Sequence, residues 1–156
     1  MIKVNPLERA ERARGYFRQG YNCSQSVVLA YSDVIGQDET TVAQFAAGFG
    51  GGMGRMRQVC GSFSGMVMVS GFLKPFTNPS VAADKGANYE LIQHFASQFK
   101  AETGSIVCGE LLGLAKGENN APQPSPRNKD YYQRRPCVEY VALAARLLGD
   151  YINSQE

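Results

Sequence analysis

The sequence predicts an all-α, single-domain bundle of about six helices, with a glycine-rich loop before a central helix. Three observations carry this. Apolar residues recur at helical spacing over most of the 156 residues, 44% of which are hydrophobic. Asparagine-proline pairs and glycines punctuate those stretches as caps and stops. No segment alternates apolar and polar residues as a half-buried strand would.

The first helix is expected to open at Asn5-Pro6-Leu7-Glu8, with a cap, a proline in the first turn and an early acid, and to run through Ala10, Ala13 and Phe17 to Gly20. A second spans Asn22 to Gly36 with Val27, Val28, Ala30, Tyr31 and Val34, and a third starts near Glu39 with Val42, Phe45 and Ala46. Gly48-Phe49-Gly50-Gly51-Gly52-Met53-Gly54-Arg55 is too rich in glycine for a regular element and reads as a loop. From Cys60 to Leu73 the chain is apolar but studded with small residues, as suits a central helix closely approached by other backbone. Asn78-Pro79 signals the start of the longest helix, which carries Leu91, Ile92, Phe95, Ala96 and Phe99 and stops at Gly104. Ser105 is expected to cap a short helix with Cys108, Leu111 and Leu112. Residues 116–135 read as an exposed loop, a lid or a disordered span, in which Tyr131-Tyr132 could close over a site or mark a partner surface. Pro136 restarts a helix with Val138, Val141, Ala142, Ala145 and Leu148 on one face.

Sixteen basic and fourteen acidic residues give a net charge of +2, with no basic stripe, so nucleic acid is not an expected partner. Neither a signal-peptide run nor a membrane-length apolar stretch is present, and the expected location is the cytoplasm. Thiols stay reduced there, so the four cysteines are expected to be reactive, metal-binding or simply buried.

Cys23, Cys60, Cys108 and Cys137 each fall in or near the first turn of an expected helix. Unpaired backbone N–H groups and the helix dipole at such positions favour a thiolate. Apolar or small residues follow each cysteine at helical spacing, so all four should point inward, and helix N-termini gathered at one end of the bundle would bring them together. Cysteine is also a common core filler, and gaps of 37, 48 and 29 residues match no zinc finger, zinc ribbon or haem-attachment motif. His94 is the only histidine and reads as a surface or packing residue. Gly51, Gly52 and Arg55, with Arg57, could form an anion-binding nest; the alternative for the same glycines is close packing beside Cys60. Glu110 and Glu139 stand two residues past Cys108 and Cys137 and are candidate proton acceptors or ordinary partners of a helix dipole.

Gly50-Gly51-Gly52-Met53-Gly54-Arg55, followed by Val59-Cys60-Gly61-Ser62-Phe63-Ser64-Gly65, with further cysteines at 23, 108 and 137, resembles the C_GCAxxG_C_C family. Tyr21-Asn22-Cys23-Ser24-Gln25-Ser26 and Cys108-Gly109-Glu110-Leu111-Leu112-Gly113 extend the resemblance over nearly the whole chain. Ser62 departs from the usual alanine, a small-for-small exchange that bears on packing more than on chemistry. The resemblance implies redox function through Cys23, Cys60, Cys108 and Cys137, as a dithiol oxidoreductase or electron carrier. The partner would be a redox protein or a small thiol or disulfide. The alternative is ligation by the same four thiolates of a 2Fe–2S cluster or another thiophilic metal. A third possibility is a helical interaction protein whose cysteines only pack, with the small-residue helix serving a homodimer. Among the thiols, Cys60 is expected to have the lowest pKa, because Arg55 and Arg57 precede it and a helix follows it.

Overall fold

A computed structural model describes residues 2–155; Met1 and Glu156, the two ends of the expected single domain, lie outside the described residues. Among the described residues the structure is all-α, with no strand, and the expected six helices are divided into nine: α1 Pro6–Arg18, α2 Cys23–Leu29, α3 Ser32–Ile35, α4 Glu39–Ala46, α5 Gly61–Leu73, α6 Ala82–Thr103, α7 Cys108–Leu111, α8 Lys129–Arg134 and α9 Cys137–Ser154.

The caps follow the sequence closely in places. Asn5 accepts from the backbone N–H groups of Leu7 and Glu8, satisfying two donors that the first turn of α1 cannot pair internally. At α2, Asn22 accepts from the Gln25 N–H while the Gln25 side chain accepts from the Asn22 N–H, a reciprocal capping box. Gly104 ends α6 in the left-handed region, with φ 96°.

Elsewhere tertiary contacts override local signals. The single helix expected from Asn22 to Gly36 breaks at Ala30–Tyr31. The buried Arg9 guanidinium donates to the Ala30 carbonyl at 2.8 Å and to Asp33, and the buried Tyr31 hydroxyl donates to the Ala145 carbonyl at 2.6 Å. Both anchors hold this segment against α1 and α9 rather than along one helix axis. Asn78 does not cap α6; it accepts from the N–H and hydroxyl of Ser80 in a local turn, and the helix starts at Ala82. Ser105 does not cap α7 directly, accepting from the Val107 N–H while donating to Glu110, and α7 begins at Cys108. Phe45, expected on the inner face of α4, is 73% exposed. Residues 116–135 are not all exposed loop: they include α8, and Arg127, Tyr131, Tyr132 and Arg135 are partly buried.

One apolar core runs through the bundle from Ala13 to Ile152. Helices α1 and α9 pack along each other, and α5 crosses the middle against α2, α6 and α9. The small residues of α5 make that position possible. A Cβ added at Gly65 would stand 2.7 Å from the Val27 Cβ and 3.2 Å from the Ser24 carbonyl oxygen, whereas Gly71, on the same helix, faces open space.

These two glycines make a paired test. Gly65→Ala forces overpacking between α5 and α2 and is expected to destabilise by about 1–3 kcal/mol. Gly71→Ala removes only backbone entropy from the unfolded chain and is expected to stabilise by about 0.5–1 kcal/mol. Denaturant unfolding of both variants measures the difference; equal effects would mean that α2 and α5 are not in close contact.

Candidate functional site

All four cysteines stand at helix starts: Cys23, Cys108 and Cys137 are the first residues of α2, α7 and α9, and Cys60 immediately precedes α5. All four line a single cavity of about 470 Å³, so the expected convergence occurs. Cys60, Cys108 and Cys137 are buried, at 5%, 8% and 8% exposure, and Cys23 is half-buried.

Two structural devices bring them together. The first is a backbone clamp: the Cys60 N–H donates to the Ile106 carbonyl at 2.7 Å, the Cys108 N–H donates to the Gln58 carbonyl at 2.6 Å, and Val59 and Val107 form an antiparallel bridge. The second is an absence of side chains. A Cβ at Gly50 would stand 2.4 Å from the Asn22 side chain that caps α2; one at Gly52 would stand 2.6 Å from the Cys108 Cβ; one at Gly61 would stand 3.0 Å from the Cys23 Cβ. Gly51 and Gly52 have φ 66° and 68° and line the cavity wall, close-packed against Arg55 and Cys108 respectively.

Met53, Arg55 and Arg57 also adopt the left-handed region, at φ 69°, 65° and 60°. Such conformations cost a non-glycine residue of order 1–3 kcal/mol each, and they persist where surrounding structure fixes them. Here the loop is tied to itself by the N–H groups of Gly54, Arg57 and Gln58, which donate to Gly48, Gly51 and Gly52. The outcome places Arg55 and Arg57 on the cavity lining.

The thiols are not equivalent. Cys23 and Cys137 act on each other more strongly than any other two thiols. Cys23, together with Arg135, Arg127 and Arg57, draws the Cys137 thiol below the ordinary thiol range, against the opposing effect of burial. Cys23 is pushed well above the ordinary thiol range by Cys137 and by burial. Cys108 accepts a hydrogen bond from Arg57 Nη1 at 3.6 Å, yet burial dominates and raises it.

Cys60 overturns the expectation that it is the most acidic thiol. The N–H groups of Phe63 and Ser62 do favour its thiolate, as a helix start should, but burial outweighs them and pushes Cys60 up to about 11. Arg57 acts on Cys108 and Cys137 instead. The Ser62 hydroxyl is buried with no oxygen or nitrogen partner and lies by the Cys60 sulfur, so the exchange for alanine touches chemistry as well as packing.

The other candidates separate clearly. His94 is exposed on α6, far along the chain from any cysteine helix start. Glu110 accepts from Ser105, and Glu139 is held below the usual carboxylate range by Arg14 at 2.9 Å, so neither faces a thiol as a base. Arg127, Arg135 and Tyr131, from the segment expected to be an exposed loop, join the lining. Their local sequence gives little sign of this; only the aromatic pair Tyr131-Tyr132 hinted at a closing element. Arg127 donates to the carbonyls of Phe17 and Tyr21 and lies 4.0 Å from the centre of the Phe17 ring, which pins the segment across the cavity.

Among the described residues, no three histidine, cysteine, aspartate or glutamate side chains gather as the ligands of one ion. The four cysteines therefore share a cavity without forming the ligand set of a single ion. All four cysteines are free.

The resulting order of acidity is measurable. Alkylation followed by peptide mass spectrometry against pH is expected to give Cys137 the lowest midpoint of the four, below that of a free cysteine, and to leave Cys60 unreactive until well above it. Arg135→Gln removes a positive charge facing Cys137 and is expected to raise that midpoint. If Cys60 alkylates first at pH 7, or Arg135→Gln leaves the midpoint in place, the assignment of the thiolate fails.

No curated protein and no solved structure matches the chain. A family model does, over residues 21–151, from just before the capped start of α2 to near the end of α9, and it therefore spans all four cysteines and the glycine loop. The chain belongs to the C_GCAxxG_C_C family, described as "Putative redox-active protein".

Proposed function

We propose that the protein is a thiol–disulfide oxidoreductase or electron carrier in which Cys137 is the attacking thiolate and Cys23 the resolving thiol. What supports this most is that Cys23 and Cys137 open on one cavity and act on each other more strongly than any other pair of thiols, Cys23 favouring the charged form of Cys137. An attacking thiol serves best when its pKa lies near the working pH, because a lower value sacrifices nucleophilicity and a higher one sacrifices thiolate.

The step balances without a further reagent. The Cys137 thiolate attacks one sulfur of a disulfide R–S–S–R′, the S–S bond breaks, and R′S⁻ leaves. Cys23 then gives up its proton to a leaving thiolate and attacks the Cys137 sulfur. RS⁻ is expelled, and the Cys23–Cys137 disulfide remains. Two electrons pass from the protein dithiol to the substrate disulfide. The charged Cys137 sulfur keeps the proton on Cys23; once that sulfur is in a mixed disulfide, the charge is gone and Cys23 becomes easier to deprotonate. Cys60 and Cys108, both shifted toward the protonated form, are less suited to begin the reaction.

Protein purified without oxygen tests this. It is expected to be colourless, to carry no stoichiometric iron or zinc, and to lose thiols reversibly in pairs when oxidised. Cys137→Ser is expected to slow reduction of a model disulfide by at least about tenfold, Cys23→Ser to accumulate the mixed disulfide, and Cys60→Ser to retain most of the rate. A brown protein with iron and inorganic sulfide and with all four thiols protected would instead establish a 2Fe–2S cluster. Full activity in Cys137→Ser would remove the assigned nucleophile.

A further inference from the structure

We infer that the cavity is selective for a small disulfide carrying negative charge, of the carboxylate-bearing class, whose anionic group is met by Arg55 and Arg57 while its sulfur reaches Cys137; the inference rests on the thiol–disulfide reading of the same site.

The charge around the cavity is one-sided. Arg55, Arg57, Arg127 and Arg135 line it, and among the described residues no aspartate or glutamate does. The other arginines in ion pairs, Arg9, Arg12, Arg14, Arg134 and Arg146, sit elsewhere with carboxylate partners. Among the described residues none of the four cavity arginines has such a partner. Arg57 Nε and Arg55 Nη2 are satisfied only by the neutral Asn119, and Arg127 only by backbone carbonyls. The Arg55 Nε–H is buried with no hydrogen-bond partner at all. A buried donor on a cation without a partner is costly, and structures normally satisfy it.

The charges also repel one another. Burial, then Arg57 and Arg135, drive the Arg55 guanidinium below its ordinary value, the direction expected when positive groups are gathered without an anion. One thiolate at Cys137 offsets only part of this charge. Attack on a disulfide then moves that negative charge out of the cavity with the leaving group, so an anionic substrate both neutralises the arginines on entry and delays the loss of charge during reaction. Arginine forks match a carboxylate in two parallel bonds, which fixes orientation as well as affinity.

A small molecule fits better than a protein partner. The cavity, about 470 Å³, lies in the range of small-ligand sites, and Cys137 is 8% exposed behind the segment pinned by Arg127. A disulfide on a folded partner would have to enter that depth.

The test separates charge selectivity from redox competence. Single-turnover oxidation of the reduced protein would be followed with 3,3′-dithiodipropionate, bis(2-hydroxyethyl) disulfide and cystamine, which are anionic, neutral and cationic. In parallel, the ratio of Cys137 alkylation rates with iodoacetate and iodoacetamide would be measured and normalised to free cysteine. That ratio cancels the thiolate fraction, so a changed pKa does not move it. The expected order is anionic, neutral, cationic, with about tenfold or more between the extremes at low salt, narrowing as salt screens the charges. Arg55→Gln and Arg57→Gln are expected to collapse both the order and the alkylation ratio, while Arg146→Gln, which removes an arginine paired with Glu102 and Asp150 elsewhere, leaves them unchanged. Equal rates with all three disulfides and a normalised ratio near one would overturn the inference while leaving the redox reading intact. No oxidation by any disulfide, with the ratio still above one and lost in Arg55→Gln, would keep the anion selectivity and overturn the redox reading.

Discussion

Everything at this site depends on backbone approaching side chains more closely than any Cβ allows. Gly50 lies against the Asn22 cap, Gly52 against Cys108, Gly61 against Cys23 and Gly65 against Val27. These four contacts set the loop 48–57 on α2 and α7, and α5 on α2. The positions of three cysteine helix starts follow from them. A methyl group at any of the four would move one wall of the cavity relative to another, so the glycines define the distances between thiols even though they carry no chemistry.

The same geometry divides labour among chemically identical residues. A helix start favours a thiolate, but its effect is modest, and burial in an apolar environment opposes it with comparable or greater weight. At Cys60 burial wins. At Cys137 the effects of Cys23 and of the facing arginines reverse the balance. Left-handed backbone at Arg55 and Arg57 stores strain in the loop, and the loop's own hydrogen bonds hold that conformation, which keeps two of the arginines on the cavity wall. Stability and chemistry therefore compete inside one short segment.

Much of this was legible in the sequence. The asparagine caps at Asn5 and Asn22, the central helix after the glycine loop, and the first-turn placement of all four cysteines are local features, set by backbone donors and hydrophobic period, and the structure reproduces them. The acidity of each thiol was not legible, because it depends on which arginines face it across the fold. Arg57 is three residues from Cys60 in sequence yet serves Cys108 and Cys137. Arg127 comes from a proline-rich stretch with no periodicity to mark it. The break at Ala30–Tyr31 was hidden for the same reason, since the partner that takes the Ala30 carbonyl is Arg9 on another helix. The family relationship supports redox chemistry through the cysteines, while the choice of pair rests on how Cys23 and the arginines act on Cys137.

The pairing of Cys23 with Cys137 is the central claim, and disulfide mapping tests it most directly. Reduced protein would be treated with one equivalent of a disulfide oxidant, digested without reduction, and its cross-linked peptides identified by mass spectrometry. The account predicts a peptide pair joining Cys23 to Cys137, with Cys60 and Cys108 still free. A dominant Cys60–Cys108 link, or cross-links only between separate molecules, would contradict it.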